Sequence, residues 1–186
     1  TYTATQAVLD AYDALDVGLW RRLRPTGVRQ DLTVLRAYVA QRVSEWLSTL
    51  GVTLLEFIDR GGLTGCSSCD THGDPTLDNL MRDADDRLVI IDPLPASERV
   101  PALKAVDLGK LLQSAFGYEF VKHRDAFWSV NTETVLEYIR QRESEADAHA
   151  AVFFCAVHYL RLLPYQRDEV KRETYRKICA ALCARV

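Results

Sequence analysis

Apolar residues recur along most of this chain with helical spacing. Leu32, Leu35, Val39, Val43, Trp46 and Leu50 follow one another at three- or four-residue steps, with Asp31 available as N-cap and Gly51 beyond the end, which predicts a helix over 31–50. An earlier stretch from about Thr5 to Asp16 places Val8, Leu9, Tyr12 and Leu15 on one side, and an arginine-rich connection with Pro25 and Gly27 follows it. In the second half Leu108, Leu111, Leu112 and Ala115 form one stripe. Val135, Leu136 and Ile139 form another, capped by Asn131. Two further helices are predicted from about Ala146 to Leu163, stopped by Pro164, and from about Asp168 to Ala184.

Only the centre has the pattern of sheet. Leu88-Val89-Ile90-Ile91 is a short β-branched run after the polar turn Asp83-Ala84-Asp85-Asp86-Arg87, and Leu80-Met81 can supply the opposing strand. A turn centred between Asp85 and Asp86 would set Leu80 opposite Ile91 and Asn79 opposite Asp92. The expected fold is therefore mainly α with a small β-hairpin, an α+β chain, in one domain over 1–186 without internal repeat or linker.

With 186 residues, 48% of them apolar and 26% charged, the composition is that of an ordinary globular protein. A formal charge of −3, from 26 acidic and 23 basic residues, supplies no field for nucleic acid. The longest apolar runs, such as Ala150 to Val157, fall short of the roughly 20 residues a membrane span needs. No leader is visible, nor an initiator Met, which leaves open that the chain is a fragment. Five cysteines, an odd number, do not make a disulfide framework and point to a reducing, cytoplasmic setting.

The centre also holds the candidate chemistry. An amide (Asn79) and a carboxylate (Asp92) brought together at the open end of a hairpin are hard oxygen ligands of the kind Mg²⁺ prefers, with positions left for water and phosphate. Asp74 nearby can orient a hydroxyl and accept its proton, and phosphoryl transfer asks for these parts. Taken alone, His72-Gly73-Asp74 is as well explained by a simple turn.

The segment His72-Gly73-Asp74-Pro75-Thr76-Leu77-Asp78-Asn79 resembles the catalytic loop of the aminoglycoside phosphotransferase and choline kinase family, which has a protein-kinase-like fold. Ile90-Ile91-Asp92 resembles its metal-binding strand end, and Val106-Asp107-Leu108-Gly109-Lys110-Leu111-Leu112 its Asp-Leu-x-x-Leu segment. The resemblance implies Asp74 as catalytic carboxylate, His72 as loop organiser, and Asn79 and Asp92 as ligands of Mg²⁺ and, through it, of ATP. It implies Asp107 as a brace behind the loop, although a plain helix N-cap explains that residue equally well. The acceptor would be a hydroxyl of a sugar, aminoglycoside or amino alcohol.

Pro93 follows Asp92 in place of the Phe-Gly of typical protein kinases, which disfavours that class. No glycine-rich loop and no strand lysine precede the catalytic segment, so the resemblance covers a C-terminal lobe. Residues 1–60 correspond to the helices before the catalytic loop, 66–95 to the loop and metal-binding hairpin, and 105–186 to a helical subdomain. A missing N-terminal lobe or partner chain would complete the cleft. The rival to an enzyme is a non-catalytic remnant or pseudokinase that binds a partner.

Other features carry blander alternatives. Cys66, Cys69 and His72 have the spacing of a zinc half-site, with Cys179 and Cys183 as distant complements, but ordinary thiols are the simpler assignment and structural zinc is disfavoured. Arg21, Arg22, Arg24 and Arg29 suit an anionic substrate or merely a solvated surface. The run Glu143-Ser144-Glu145-Ala146-Asp147 suits a cationic acceptor or a solvated helix face. His158, Tyr159 and Arg161 sit where a late helix lines an acceptor pocket or packs in the core. His123 and His149 have no partner at useful spacing, and Trp20, Trp46 and Trp128 are simplest as core or interface residues.

Overall fold

A computed structural model of the chain describes residues 3–21, 28–46, 51–95, 102–123 and 130–186. It is mainly helical with a two-stranded antiparallel sheet. In order come α1 (Ala4–Leu15), α2 (Val28–Trp46), α3 (Gly51–Asp59), a 3₁₀ turn (Leu77–Asn79), β1 (Leu80–Arg82) and β2 (Leu88–Ile90). These are followed by α4 (Lys104–Ala115), α5 (Tyr118–His123), α6 (Thr132–Arg142), α7 (Glu145–Leu162) and α8 (Glu169–Cys183). No helix among the described residues is long and apolar enough to cross a membrane.

Helix α7 is the axle of the molecule. Every residue from Ala150 to Leu160 is buried, so it has no solvated face, as expected of a helix wrapped on all sides. It packs most extensively on α4 and α8. Phe153 stacks on Phe57 of α3 at 4.8 Å, and Tyr159 meets Tyr175 of α8 at 5.5 Å. The stripes expected from periodicity supply the core: Leu108, Leu111, Leu112 and Ala115 from α4, and Val135, Leu136 and Ile139 from α6. The Asn131 side chain caps α6 by accepting from Thr134 N–H, and Asp168 caps α8 by accepting from Val170 and Lys171 N–H.

Some boundaries differ from expectation. Helix α2 begins at Val28, so Asp31 lies inside it and not at its cap. Nothing between 28 and 31 breaks a helix, and the nearest breakers are Gly27 and Pro25. Gly51 opens α3 instead of closing α2, whereas Leu50, Pro25, Gly27 and Trp128 fall outside the described residues. The helix α5 had no counterpart in the periodicity, being only six residues long.

The hairpin register is shifted by one from the expected pairing. Leu80 pairs with Ile90, Met81 with Val89 and Arg82 with Leu88. The turn is the cause. Asp83 N–H donates to Arg87 O at 3.0 Å, leaving a three-residue loop whose last member, Asp86, is left-handed with φ 61°. The Asp83 carboxylate fastens it by accepting from Asp85 and Arg87 N–H, both at 2.9 Å. Asn79 is consequently joined to Ile91, whose N–H donates to Asn79 O at 2.9 Å, and Asp92 lies one residue further on.

The acidic run is solvated only in part: Ser144 and Glu145 are exposed, whereas Asp147 and Glu143 turn inward. Asp147 is buried and accepts from Ser67 N–H at 2.8 Å, Ser67 Oγ–H at 2.7 Å and Ser144 Oγ–H at 2.9 Å, which ties the start of α7 to the 66–68 segment. Glu143, with a side chain only 4% exposed, accepts from Tyr12 Oη–H and from Lys104 Nζ at 2.9 Å, bridging α1, α4 and the α6–α7 junction.

Helices α4 and α7 approach each other closely at Gly109. A Cβ there would lie 2.6 Å from Phe154 Cβ and 2.9 Å from Cys155 N, contacts that backbone movement alone can relieve. Gly109→Ala should therefore destabilise the fold by about 1–3 kcal/mol through overpacking, despite the higher helix propensity of alanine. Urea denaturation monitored by circular dichroism checks this, and an unchanged or raised midpoint would refute the tight α4–α7 contact.

Candidate active site

The segment 71–79 is irregular backbone held over the starts of α4 and α5, and its N–H groups account for the geometry. Asp107, wholly buried in the first turn of α4, accepts from His72 N–H at 2.8 Å, Gly73 N–H at 2.7 Å and Trp20 Nε1–H at 3.0 Å. Leu103, not Asp107, occupies the N-cap of α4, so the carboxylate faces the loop and not its own helix end. Gly73 has φ +88°, a left-handed conformation that glycine adopts without steric cost. His72 turns its Nδ1 back to accept from Asp74 N–H at 3.3 Å.

Further along, Leu77 N–H donates to Ser114 Oγ at 3.1 Å and Glu119 Oε1 at 3.0 Å. Burial raises the Glu119 pKa, against the opposing pull of the Ser114 hydroxyl and the Leu77 N–H. Asp78 pairs with Lys122 and with His123 Nε2 at 2.9 Å. Burial opposes its charge, but these two partners outweigh it and hold its carboxyl below the ordinary range. His123 thus has a partner that sequence spacing concealed, 45 residues away.

On this mount sit the expected site residues. Asn79 Nδ2 donates to Asp74 O at 2.7 Å and to Asp74 Oδ2 at 3.1 Å. With both amide protons engaged, Asn79 presents Oδ1 as its remaining polar atom. Asp92 is exposed and left-handed, φ 59°, a conformation uncommon outside glycine and tolerated best by Asp and Asn. It is bracketed by two backbone bonds to the loop: Ile91 N–H to Asn79 O at 2.9 Å, and Leu94 N–H to His72 O at 3.0 Å. His72, Asp74, Asn79, Asp92 and Asp107 are thereby linked through one network.

One residue of this network was not singled out from the sequence. Lys110 Nζ lies 2.9 Å from Asp74 Oδ1 and 3.1 Å from Gln113 Oε1, with its side chain 13% exposed. Burial lowers its pKa, and Asp74 opposes that shift. The signal was available: Lys110 is three residues after Asp107 on the same helix, so both belong to the face that meets the loop.

Beside Gly73 lies a cavity of about 250 Å³ lined by α2, Leu94, Val106 and the end of α7, including His158 and Arg161. His158 Nε2 is 3.1 Å from Val106 O, and a carbonyl only accepts, so Nε2 carries the proton. Burial first, then the charges of Lys110 and Arg161, hold the His158 pKa well below its ordinary value. The ring is neutral and Nδ1 is a bare acceptor with no partner among the described residues. Tyr159 points elsewhere, its hydroxyl bonded to Gln113 O and Phe116 O in the core. A wider depression of about 790 Å³ between α6 and α7 is far from this network, and its Glu133 and Arg185 face each other at 3.7 Å.

The remaining candidates do not join the site. Burial pushes the Cys66 and Cys69 thiols up to about 12, with Asp147 and Asp107 respectively adding to it, which opposes thiolate ligation. Cys179 and Cys183 fill the inner face of α8. No group of three His, Cys, Asp or Glu side chains among the described residues is gathered as a metal cage. Arg21 is exposed, 4.0 Å from Asp16, and Arg22 and Arg24 fall outside the described residues. No family model, curated protein or solved structure matches the chain.

Two outcomes test this geometry. Asp107→Ala would leave three buried N–H donors without their acceptor and should cost roughly 3 kcal/mol or more in urea denaturation. A loss below about 1 kcal/mol would show that the loop does not depend on this carboxylate. Separately, the depressed His158 pKa means that the unfolded chain takes up a proton the folded chain resists. Its contribution is fully present above about pH 6.5 and is lost as pH falls, by up to about 1.4 kcal/mol per pH unit. His158→Gln should flatten the decline in stability between pH 7 and 5, and an unaltered slope would contradict a neutral, buried His158.

Proposed function

We propose that this chain carries the catalytic and metal-binding residues of a phosphotransferase that moves a phosphoryl group from a nucleoside triphosphate to a hydroxyl of a small molecule. It is organised like the C-terminal lobe of the kinase-like fold. The observation that carries this reading is the double anchoring of Asp92 to the His72–Asn79 loop, together with the Asn79 amide clamped on Asp74. These bonds bring the Asp92 backbone to the loop that carries Asp74 and Asn79, residues of the types phosphoryl transfer uses, although 18 positions separate Asp74 from Asp92.

The donor set fits magnesium. Asn79 Oδ1 and the exposed Asp92 carboxylate are two hard oxygens, and Mg²⁺ is commonly held by one or two protein oxygens completed by water and phosphate. When bound there, the ion offsets charge on the phosphate oxygens.

Asp74 accepts the acceptor's proton as its oxygen bonds to the terminal phosphorus and the bond to the leaving diphosphate breaks. Both Asp74 oxygens are already hydrogen-bonded, one to Asn79 and one to Lys110, yet each retains a second lone pair, and the side chain is 31% exposed. Lys110 keeps the carboxylate oriented. The same saturation would suit a purely structural Asp74 in a non-catalytic module, which makes this residue the one to test.

Asp74→Asn preserves shape and removes the base. In a transfer assay with Mg-ATP and a panel of hydroxyl acceptors, on the complete protein, it should lower turnover roughly 10²–10⁴-fold. Because Lys110 loses its counter-charge the melting temperature should also fall, so transfer is read well below the variant's melting point. Undiminished transfer by Asp74→Asn would exclude the assignment. An inactive wild type accompanied by a large loss of stability in the variant would favour the structural role.

A further inference from the structure

We propose that the cavity beside Gly73 is the acceptor site and that it takes a small hydroxy acid, a compound with an apolar body, a hydroxyl and one anionic group. Calling its ligand the acceptor rests on the phosphotransferase reading. The chemistry of the cavity stands separately, and the two fail in different ways.

The walls are apolar: Val34, Leu35, Leu94, Val106, Phe154 and Val157 supply most of the lining. Its volume of about 250 Å³ is below the roughly 300–1,000 Å³ of drug-sized sites, which suits a small ligand better than a multi-ring aminoglycoside. Gly73, immediately before Asp74, forms part of the wall, so a ligand held here touches the loop that carries Asp74.

The polar groups specify the rest. Arg161, half-buried at the end of α7, has no carboxylate partner among the described residues, whereas Lys110 is matched by Asp74. Arg161 is thus the cation of the cavity wall that still lacks a counter-charge. A cationic amino alcohol would set a second positive charge beside it. A carboxylate would instead complete the pairing of Arg161, whose guanidinium favours bidentate contact with such groups.

Three probes with the same phenyl body and one hydroxyl separate the possibilities: 3-phenyllactate (anionic), its primary amide (neutral) and phenylalaninol (cationic). Titrated by calorimetry into the complete protein without nucleotide, phenyllactate should bind roughly tenfold or more tighter than the amide, with phenylalaninol weakest. Arg161→Gln should abolish the preference for the anion, and Arg161→Lys should retain part of it, which separates charge recognition from misfolding.

Equal or tighter binding of phenylalaninol, an unchanged ranking in Arg161→Gln, or no saturable binding of any probe to the wild type would each overturn the proposal. Displacement of phenyllactate by metal-free ATP would reassign the site to nucleotide phosphates and overturn it as well. Binding as expected, with no phosphoryl transfer to any hydroxy acid, would instead sink the phosphotransferase reading and leave the pocket chemistry standing.

Discussion

The buried carboxylate of Asp107 is the contact through which the rest of the site is organised. A charge with no solvent exposure is tolerated only when its lone pairs are satisfied, and here three N–H groups from two distant segments supply that satisfaction. Two belong to His72 and Gly73, which fixes the entry to the loop. The third belongs to Trp20, whose ring packs against Tyr12 at 5.3 Å and so couples the loop to α1. The requirement to satisfy one acid therefore sets the relation between the first helix, the fourth and the 72–79 loop.

Helix α4 repeats this service along its length. Positions 107, 110 and 114 stand at i, i+3 and i+7, one face of a helix, and each holds the loop by a different chemistry. Asp107 accepts from its backbone, Lys110 pairs with the Asp74 side chain, and Ser114 with Glu119 receives Leu77 N–H. Gly109, between the first two, lets α4 settle against the fully buried α7. The loop's position is thus referred to the most rigidly packed pair of helices and not to the exposed hairpin.

The helices were legible because burial of one face imposes a period that Leu, Val and Ile positions record directly; α7 and α8 came out within a residue or two, and the stripes expected in the second half lie on α4 and α6. The hairpin register was not legible from the turn composition, since an even and an odd loop both fit Asp83–Arg87. The side-chain pattern decides between them. Leu80, Leu88 and Ile90 pack on the core while Met81, Val89 and Ile91 are exposed, and directly opposed residues share a face. Pairing Leu80 with Ile91 would set an inward residue against an outward one. Glu143 and Asp147 were misread for another reason: a local acidic run looks solvated until the partners, Lys104, Tyr12 and Ser67, arrive from far along the chain.

Asp92 shows how these constraints combine. Its carboxylate is solvated and contributes nothing to the core, so no packing argument places it. Its position follows from its neighbours: Ile91 is fixed to Asn79 by the hairpin ladder, Leu94 is fixed to His72 across the loop, and the two residues between must span that gap. One of those two is Pro93, whose ring locks its φ near −65°, so most of the turning falls to Asp92. The left-handed backbone at Asp92 is thus the geometric consequence of tying a hairpin exit back onto an irregular loop. Asp is among the few side chains that accept that conformation cheaply, and it is also the side chain that a metal-assisted reaction would need there.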